Sequence, residues 1–157
     1  MVEFEDASVT DERAQSLLHE YFADRASSFP AEQGQYTVTM PDPARFTPPN
    51  GIFILLNDAC GSFGCGGARR LHTEPGEPIR YEIKHLWVQP RGRGTGAGRA
   101  LLAELERRAI GFGAQELVLD TNVSLEAAGN LYRTSGYRET APYNDNPNAT
   151  TWFAKPL

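Results

Sequence analysis

The segment Gln89–Arg108, QPRGRGTGAGRALLAELERR, joins a glycine-rich basic loop to the start of an amphipathic helix. Glycine stands at every second position from Gly92 to Gly98. A helix N-terminus exposes unpaired backbone N–H groups, and glycine allows an anion to approach them closely. Arginine side chains can add charged donors, and they stand at Arg91, Arg93 and Arg99. The segment therefore predicts a binding turn for phosphate or diphosphate.

The composition of the 157-residue chain favours one globular domain, residues 1–157. Its net charge of −5 argues against nucleic acid as the main partner and favours cationic small molecules. No apolar run reaches the roughly 20 residues of a membrane span, and the acidic N-terminus lacks a signal region. We therefore expect a cytoplasmic protein without a membrane contact. The two cysteines, Cys60 and Cys65, are too few for a disulfide framework or a full zinc site, and we expect no metal.

The N-terminal half predicts a helix followed by an antiparallel meander. A cap at Thr10 or Asp11 would begin the helix, which extends over about 11–25. The proline-rich residues 26–50 are predicted to be a loop, either a substrate-covering segment or a passive surface excursion. The predicted strands lie at 2–8, 51–58, 62–71 and 79–88, with a short strand or turn at 36–40.

The C-terminal half alternates helices and strands. A helix over 96–112 should bury one leucine-rich stripe, and strand 116–121 should run parallel to strand 79–88 through a right-handed crossover. Ser124 is the expected cap of a helix that ends near Ser135. Two further strands are predicted at 137–143 and 150–157. The fold class is therefore mixed α+β, with antiparallel N-terminal strands joined to a central parallel pair.

A dinucleotide site is a competing interpretation of the glycine-rich loop. Gly92–Ala97 fits the pattern G-x-G-x-x-G/A, and Asp120 stands near the place of a ribose-binding acid. However, the βαβ unit begins only at residue 79, behind the meander, and 37 residues after Asp120 are too few for a second mononucleotide half. The motif G-K-S/T is absent, which excludes a P-loop.

Two motifs resemble those of the GNAT superfamily of N-acetyltransferases. Val88–Gly98, VQPRGRGTGAG, is similar to the superfamily's acetyl-coenzyme A motif, V-x-P-x-x-R/Q-G-x-G-x-G/A. Ala128–Tyr137, AGNLYRTSGY, is similar to its second motif, A-x-x-L-Y-x-x-x-G-F/Y. The resemblance covers about residues 51–157. It implies a single domain in which strands 79–88 and 116–121 splay to bind acetyl-CoA, flanked by about four helices.

The resemblance also implies where the cosubstrate binds. The pantetheine arm would bond to the backbone near Leu86, Trp87 and Val88, and the pyrophosphate would lie on the N–H groups of residues 93–99. Many relatives carry asparagine at the position of Leu125, and Asn122 or Asn130 could replace it. The expected cofactor contacts are Leu86, Trp87, Val88, Arg91, Arg93, Gly94, Thr95, Gly96, Ala97, Gly98, Arg99, Asn122 and Tyr132.

Acetyl transfer requires a neutral amine, a donor to the thioester oxygen and a donor to the departing thiolate. Glu82 is the predicted base, since some family members carry a glutamate at a similar place. Strand alternation would put it on one face with Lys84, Leu86 and Val88. Tyr132 is the predicted acid, because the family motif places it near the coenzyme sulfur. The backbone N–H of Val88 is the expected oxyanion donor.

Each of these roles has a structural alternative. Glu82 could instead form an ion pair with Lys84 or Arg80 on a wet face, and Tyr132 could be a packed helix residue. His85 could relay a proton or form a pocket wall. Asp145 could hold a cationic amine or belong to a solvated turn.

The sequence therefore predicts an acetyl-CoA-dependent N-acetyltransferase. The acetyl group would pass to a primary amine of a small molecule or peptide by direct attack in a ternary complex, because no cysteine lies where a covalent carrier is expected. A non-catalytic acyl-CoA-binding module is the alternative. The protein is expected to be a monomer or a homodimer, and residues 26–50 and 143–150 are expected to set acceptor specificity.

Coenzyme A and NAD distinguish the two phosphate-binding interpretations. We expect coenzyme A to raise the melting temperature, because a ligand at 100 times its Kd stabilises the folded state by about 3 kcal/mol. NAD should leave the melting temperature unchanged. Differential scanning fluorimetry with each ligand measures both effects, and stabilisation by NAD alone would contradict the acetyltransferase interpretation.

Overall fold

A single seven-stranded sheet organises the computed structural model, which describes residues 1–157. The elements are, in order, β1 (Glu3–Asp6), α1 (Glu12–Ser28), β2 (Gly51–Asp58), β3 (Gly61–Arg70), β4 (Arg80–Val88), α2 (Ala97–Gly111), β5 (Glu116–Thr121), α3 (Glu126–Thr134), β6 (Arg138–Thr140) and β7 (Thr151–Pro156). The strand order is β1–β2–β3–β4–β5–β7–β6, and only the β4–β5 pair is parallel. Short 3-10 turns lie at Ala31–Gln33, Pro43–Phe46 and Pro90–Gly92.

The predicted mixed fold, the meander and the central parallel pair are confirmed. The structure has three α-helices and three short 3-10 turns, roughly consistent with the predicted four helices. Residues 36–40 form no strand, and the strand predicted at 137–143 is limited to β6. The predicted cap of α3 at Ser124 is wrong. Asn122 accepts the N–H of Ser124 through its side chain and that of Leu125 through its carbonyl, so a turn precedes the helix. None of the helices combines the length and apolar character needed to cross a membrane.

The sheet separates two apolar layers. On β2, Ile52 and Ile54 pack in the cluster that contains the leucines of α2, whereas Phe53 and Leu55 pack against α1. This alternation follows from the two-residue period of a strand. The carboxylate of Asp11 accepts the N–H of Arg13 at 2.8 Å and begins α1, as one of the two predicted caps.

The central parallel pair diverges after three residue pairs. Pairing between β4 and β5 runs only from Arg80–Glu116 to Glu82–Val118, whereas β5 continues to pair with β7 as far as Thr121. The second half of β4 therefore has β3 on one side and no strand on the other. This confirms the splay that the family resemblance implied.

A β-bulge changes the direction of side chains in the same part of β4. His85 has a φ of 57°, and His85 and Leu86 together face Gly66 where the register shifts. As a result Leu86 and Val88 pack on the α2 side of the sheet, opposite Glu82. The prediction that Glu82 shares a face with Leu86 and Val88 is therefore wrong, because the extra residue interrupts the alternation.

Gly67 in β3 should be intolerant of a side chain. An added Cβ would lie 2.6 Å from the ring of Phe46, which is 3% exposed and has no room to move. We expect Gly67→Ala to lower the free energy of unfolding by about 1–3 kcal/mol, as overpacked cores do. Gly111→Ala is the matched control. It lies in α2 with nothing within 4 Å of an added Cβ, and it should be neutral or stabilise by up to about 1 kcal/mol. Urea denaturation measures both, and equal effects would contradict the packing argument.

Candidate active site

A cavity of about 630 Å³ lies where β4 and β5 diverge. Lys84–Trp87 line it from β4, and Asp120 and Thr121 line it from β5. The remaining walls come from α1, from α3, from Arg69 of β3, from Arg93 and from two loops, residues 36–41 and 144–149. A concave site of this size with convergent polar groups is the candidate active site. The loop predicted over 26–50 thus contributes a wall of the cavity.

The two cavity loops are joined directly. The backbone N–H of Thr37 donates to Oδ1 of Asn148 at 2.8 Å, and Nδ2 of Asn148 donates to the carbonyl of Thr37 at 2.7 Å. This reciprocal pair connects positions 111 residues apart in the chain. The cavity is therefore enclosed by two segments that hydrogen bonding holds together.

A row of backbone N–H groups begins beside the cavity. The six amides from Gly94 to Arg99 donate to no acceptor within the protein, whereas that of Arg93 is bonded to the carbonyl of Pro90. Gly94 and Gly96 have φ angles of 75° and 86°, and no atom lies within 4 Å of an added Cβ at either glycine. The left-handed turn and the start of α2 thus expose a row of donors that an oxyanion group fits.

The three arginines of the loop have different environments. The guanidinium of Arg93 lies 4.7 Å from the ring centre of Trp87, its Nε donates to the carbonyl of Val88, and it lines the cavity. That of Arg91 is paired with Asp58. The side chain of Arg99 donates to Thr134 and Ser135 at the end of α3. Of the predicted basic cluster, only Arg93 therefore faces the cavity.

The other predicted cofactor residues surround this loop. The hydroxyl of Thr95 donates to the carbonyl of Gly92 at 2.6 Å, and Ala97 is buried in the same apolar cluster as Val88. Leu86 and Trp87 line the cavity at the edge of β4 that faces away from β3. Gly98 is the second residue of α2, and an added Cβ there would have Leu131 as its nearest neighbour at 3.7 Å. The position therefore has space for a ligand beside the backbone.

Glu82 is buried in a network of donors. It is 1% exposed, and Oε1 accepts from Nε and Nη2 of Arg69 at 2.9 and 2.8 Å. Oε2 accepts from the hydroxyl of Tyr143 at 2.6 Å and more weakly from Asn144 at 3.4 Å. The alternative ion pairs do not form, because Arg80 pairs with Glu116 and Lys84 with Asp120. Burial and the charge of Glu82 raise the pKa of Tyr143, so this hydroxyl stays protonated and donates.

A second carboxylate extends this network into the cavity. Asp120 accepts from Nδ2 of Asn144 at 2.7 Å and lies 3.5 Å from Nζ of Lys84. Asn144 is held by the indole N–H of Trp152 at 2.8 Å. Sequence reasoning considered Asp120 only as a ribose ligand and missed Arg69, which comes from β3 and has no marking signal in its local sequence. It expected residues 143–150 to set acceptor specificity but gave Asn144 no contact with the carboxylates.

Tyr132 presents a free hydroxyl to the cavity. Its ring packs against Tyr137 and Phe153, and its side chain lines the cavity without a hydrogen bond to the protein. Burial raises the pKa of Tyr132 to about 12, although the charge of Arg25 lowers it slightly. The phenol therefore stays protonated at neutral pH and can donate to a ligand.

The remaining candidates are wall or scaffold residues. His85 packs against three aromatic rings, Nδ1 has no partner, and burial lowers its pKa to about 3, so the imidazole is a neutral cavity wall. Asn122 is 1% exposed and bonds to Gln33, Asn148 and Ser124. Leu125 lines the cavity, Asn130 is exposed on α3, and Asp145 is exposed outside the cavity. No group of three or more His, Cys, Asp or Glu side chains is arranged to hold a metal ion.

The sequence profile of the acetyltransferase (GNAT) family matches residues 14–137. The chain belongs to this family. It is therefore an acyltransferase, which argues against the dinucleotide interpretation of the glycine-rich loop. The amide row lies in the first of the two sequence motifs. The cavity lies where the parallel strands of this GNAT protein diverge, as the resemblance implied.

Named relatives agree with the family. An uncharacterized N-acetyltransferase of Schizosaccharomyces pombe is 34% identical over 104 residues, which make up 66% of this chain and 61% of the yeast protein. The IAA acetyltransferase of Azospirillum brasilense is 33% identical over 111 residues, 69% of this chain and 70% of that protein. A crystal structure from Klebsiella pneumoniae, assigned as an acyl-CoA N-acyltransferase, is 27% identical with a TM-score of 0.74, covering 100% of this chain and 98% of the other.

The buried imidazole of His85 should make stability depend on pH. In the unfolded chain this group titrates near 6.5, whereas in the folded protein its pKa is about 3. Between these values the unfolded state binds a proton that the folded state does not, so stability falls as the pH falls. At pH 5 the loss due to His85 is about 2 kcal/mol.

His85→Asn should remove this part of the acid sensitivity, since asparagine tolerates the left-handed backbone. Urea denaturation at pH 7.5 and pH 5 gives the difference for each protein. His19→Asn, at an exposed position on α1, should retain the wild-type difference. An unchanged difference in His85→Asn would show that the imidazole does not titrate as described.

Proposed function

We propose that this GNAT protein is an acetyl-CoA-dependent N-acetyltransferase that acetylates a primary amine of a small molecule or peptide by direct attack in a ternary complex. The observation that carries the proposal is the row of six free amides, Gly94–Arg99, which begins next to a cavity lined by Tyr132 and Asp120. One region thus offers donors for a diphosphate and, further in, polar groups for acyl transfer.

In this proposal the coenzyme lies between the diverging strands. The amides of Gly94–Arg99 would bind the pyrophosphate, and the guanidinium of Arg93 would lie beside it. The backbone of Leu86–Val88 would bind the pantetheine arm, because β5 does not pair with this part of β4. Bound acetyl-CoA supplies an activated thioester. The side chains of Arg91, Arg99 and Asn122 would contribute little, since each is bonded elsewhere.

Glu82 and its partners would promote deprotonation of the acceptor. Because Glu82 is almost fully buried, a proton would reach it through Tyr143 or water rather than by direct contact. Asp120 lies at the cavity wall and would accept a hydrogen bond from the incoming ammonium. The neutral amine would then attack the thioester carbon, with the N–H of Val88 donating to the developing oxyanion.

Tyr132 would stabilise the leaving group. Formation of the amide breaks the C–S bond and leaves a thiolate. A thiol is more acidic than a phenol whose pKa is about 12, so Tyr132 would donate a hydrogen bond to sulfur and keep its proton. The proton lost by the amine passes through the Glu82 network to solvent.

Two variants test these roles. Glu82→Gln should lower kcat by about 100-fold or more, and Tyr132→Phe by about 10- to 100-fold, because each removes a group that acts on the transition state. Coenzyme A affinity should change by less than about twofold, since neither group is proposed to hold the diphosphate. Release of free thiol with a panel of primary amines measures kcat, and titration calorimetry measures affinity.

Glu74→Gln is the control, because Glu74 is exposed in the turn before β4. It should retain wild-type kcat and affinity. Unchanged turnover in both site variants would contradict the assigned roles. Tight coenzyme A binding without thiol release for any amine would instead favour a non-catalytic acyl-CoA-binding module.

A further inference from the structure

Arg25, in the last turn of α1, is a cavity cation without a counter-ion. It lines the cavity, and its guanidinium lies 5.4 Å from the ring centre of Tyr36. Its Nε atom is buried and has no hydrogen-bond partner. The ring of Tyr36 is supported in turn by Phe22 and Phe29. The guanidinium is therefore oriented by aromatic packing and not by a carboxylate of the protein.

The other cations that line the cavity already have partners. Arg69 is bonded to Glu82, and Lys84 lies 3.5 Å from Asp120. Arg93 stacks on Trp87 and donates to a backbone carbonyl. Two further acids, Asp24 and Glu126, line the cavity but are exposed and form no ion pair with Arg25. Arg93 also lacks a counter-ion, but it belongs to the glycine-rich loop proposed to bind the diphosphate. Outside that loop, Arg25 is the cavity cation without a hydrogen-bond acceptor in the protein.

A planar guanidinium with free donors matches a carboxylate, which it can bind through two parallel hydrogen bonds. We propose that Arg25 binds a carboxylate of the acceptor, and that the acceptor is therefore an amino-carboxylate, with a primary amine and a carboxylate in one molecule. This inference rests on the proposed acetyltransferase function and names its substrate class.

The opposite wall of the cavity complements the other end of such a molecule. Asp120 lines this wall, held by Asn144, with a side chain that is 6% exposed and with Nζ of Lys84 at 3.5 Å. Arg25, Asp120 and Tyr132 line the same cavity, so we expect a zwitterion bound through its carboxylate at Arg25 to direct its amine toward Asp120 and Tyr132. The cavity volume of about 630 Å³ is within the range of small-molecule sites.

Pairs of acceptors that differ only in the carboxylate test the inference. The probes are α- and ω-amino acids, each assayed beside its own carboxamide by thiol release. For each probe, kcat/KM of the variant is divided by kcat/KM of the wild type, and the ratios for the acid and its amide are compared. Because each ratio refers to one amine, differences in amine basicity cancel. We expect Arg25→Gln to lower kcat/KM about 10- to 100-fold for the acids and less than about twofold for the amides, as expected for a lost charged hydrogen bond.

Two further variants make the result specific. Arg25→Lys keeps the charge but not the fork, and it should recover part of the loss for the acids. Arg138→Gln removes an equal charge from β6, at an exposed position outside the cavity, and it should change neither member of a pair. Melting temperatures establish that each variant is folded.

An equal loss for acid and amide in Arg25→Gln would overturn the inference. A weaker affinity for coenzyme A in that variant, measured by calorimetry, would overturn it as well and would assign Arg25 to the coenzyme. If the wild-type protein acetylated simple amines but no amino acid, the inference would be refuted and the proposed function would stay intact. If the wild-type protein released no thiol with any of the amines, the proposed function itself would be refuted.

Discussion

The early end of pairing between β4 and β5 is the constraint on which the site depends. Three residue pairs hold the two strands together, and beyond Glu82 the backbone of β4 has a free edge. The strands do not close again, because β5 stays bonded to β7 and the bulge at His85 redirects β4. The main-chain groups left without a partner at this edge must be satisfied by a ligand or by solvent. The same loss of pairing thus creates both the cavity and the donors that face it.

The two carboxylates of the buried network, Glu82 and Asp120, are paired with cations, whereas Arg25 and Arg93 line the cavity without a carboxylate partner. Glu82 and Asp120 share the donor Asn144, and each also has a cationic neighbour, Arg69 or Lys84. Such a network fixes the side chains but leaves little net charge for a ligand to meet. In the proposal, recognition of a charged acceptor therefore falls to Arg25, which lines the same cavity and has no counter-ion.

Local patterns predicted most of the fold. Strand β2 coincides with the predicted 51–58, and helix α2 is one residue shorter at each end than predicted, because its periodicity and glycine boundaries are local signals. The bulge at His85 carries no such signal, since a histidine gives no indication of a left-handed backbone, and it inverted the faces of Leu86 and Val88. For the site, the motif indicated the amide row, but it could not show that Arg91 and Arg99 are bound elsewhere. Those partners lie 33 and 35 residues away and depend on the tertiary fold.

The two halves of the cavity differ in how the chain encodes them. One continuous stretch, residues 84–99, supplies the β4 edge and the amide row, so any change there alters several donor contacts together. The opposite walls come from α1, from α3 and from two loops. These loops are joined by the pair between Thr37 and Asn148, and the buried side chain of Asn122 links Asn148 to Gln33. A substitution in either loop can therefore reshape the cavity wall without touching the amide row of Gly94–Arg99.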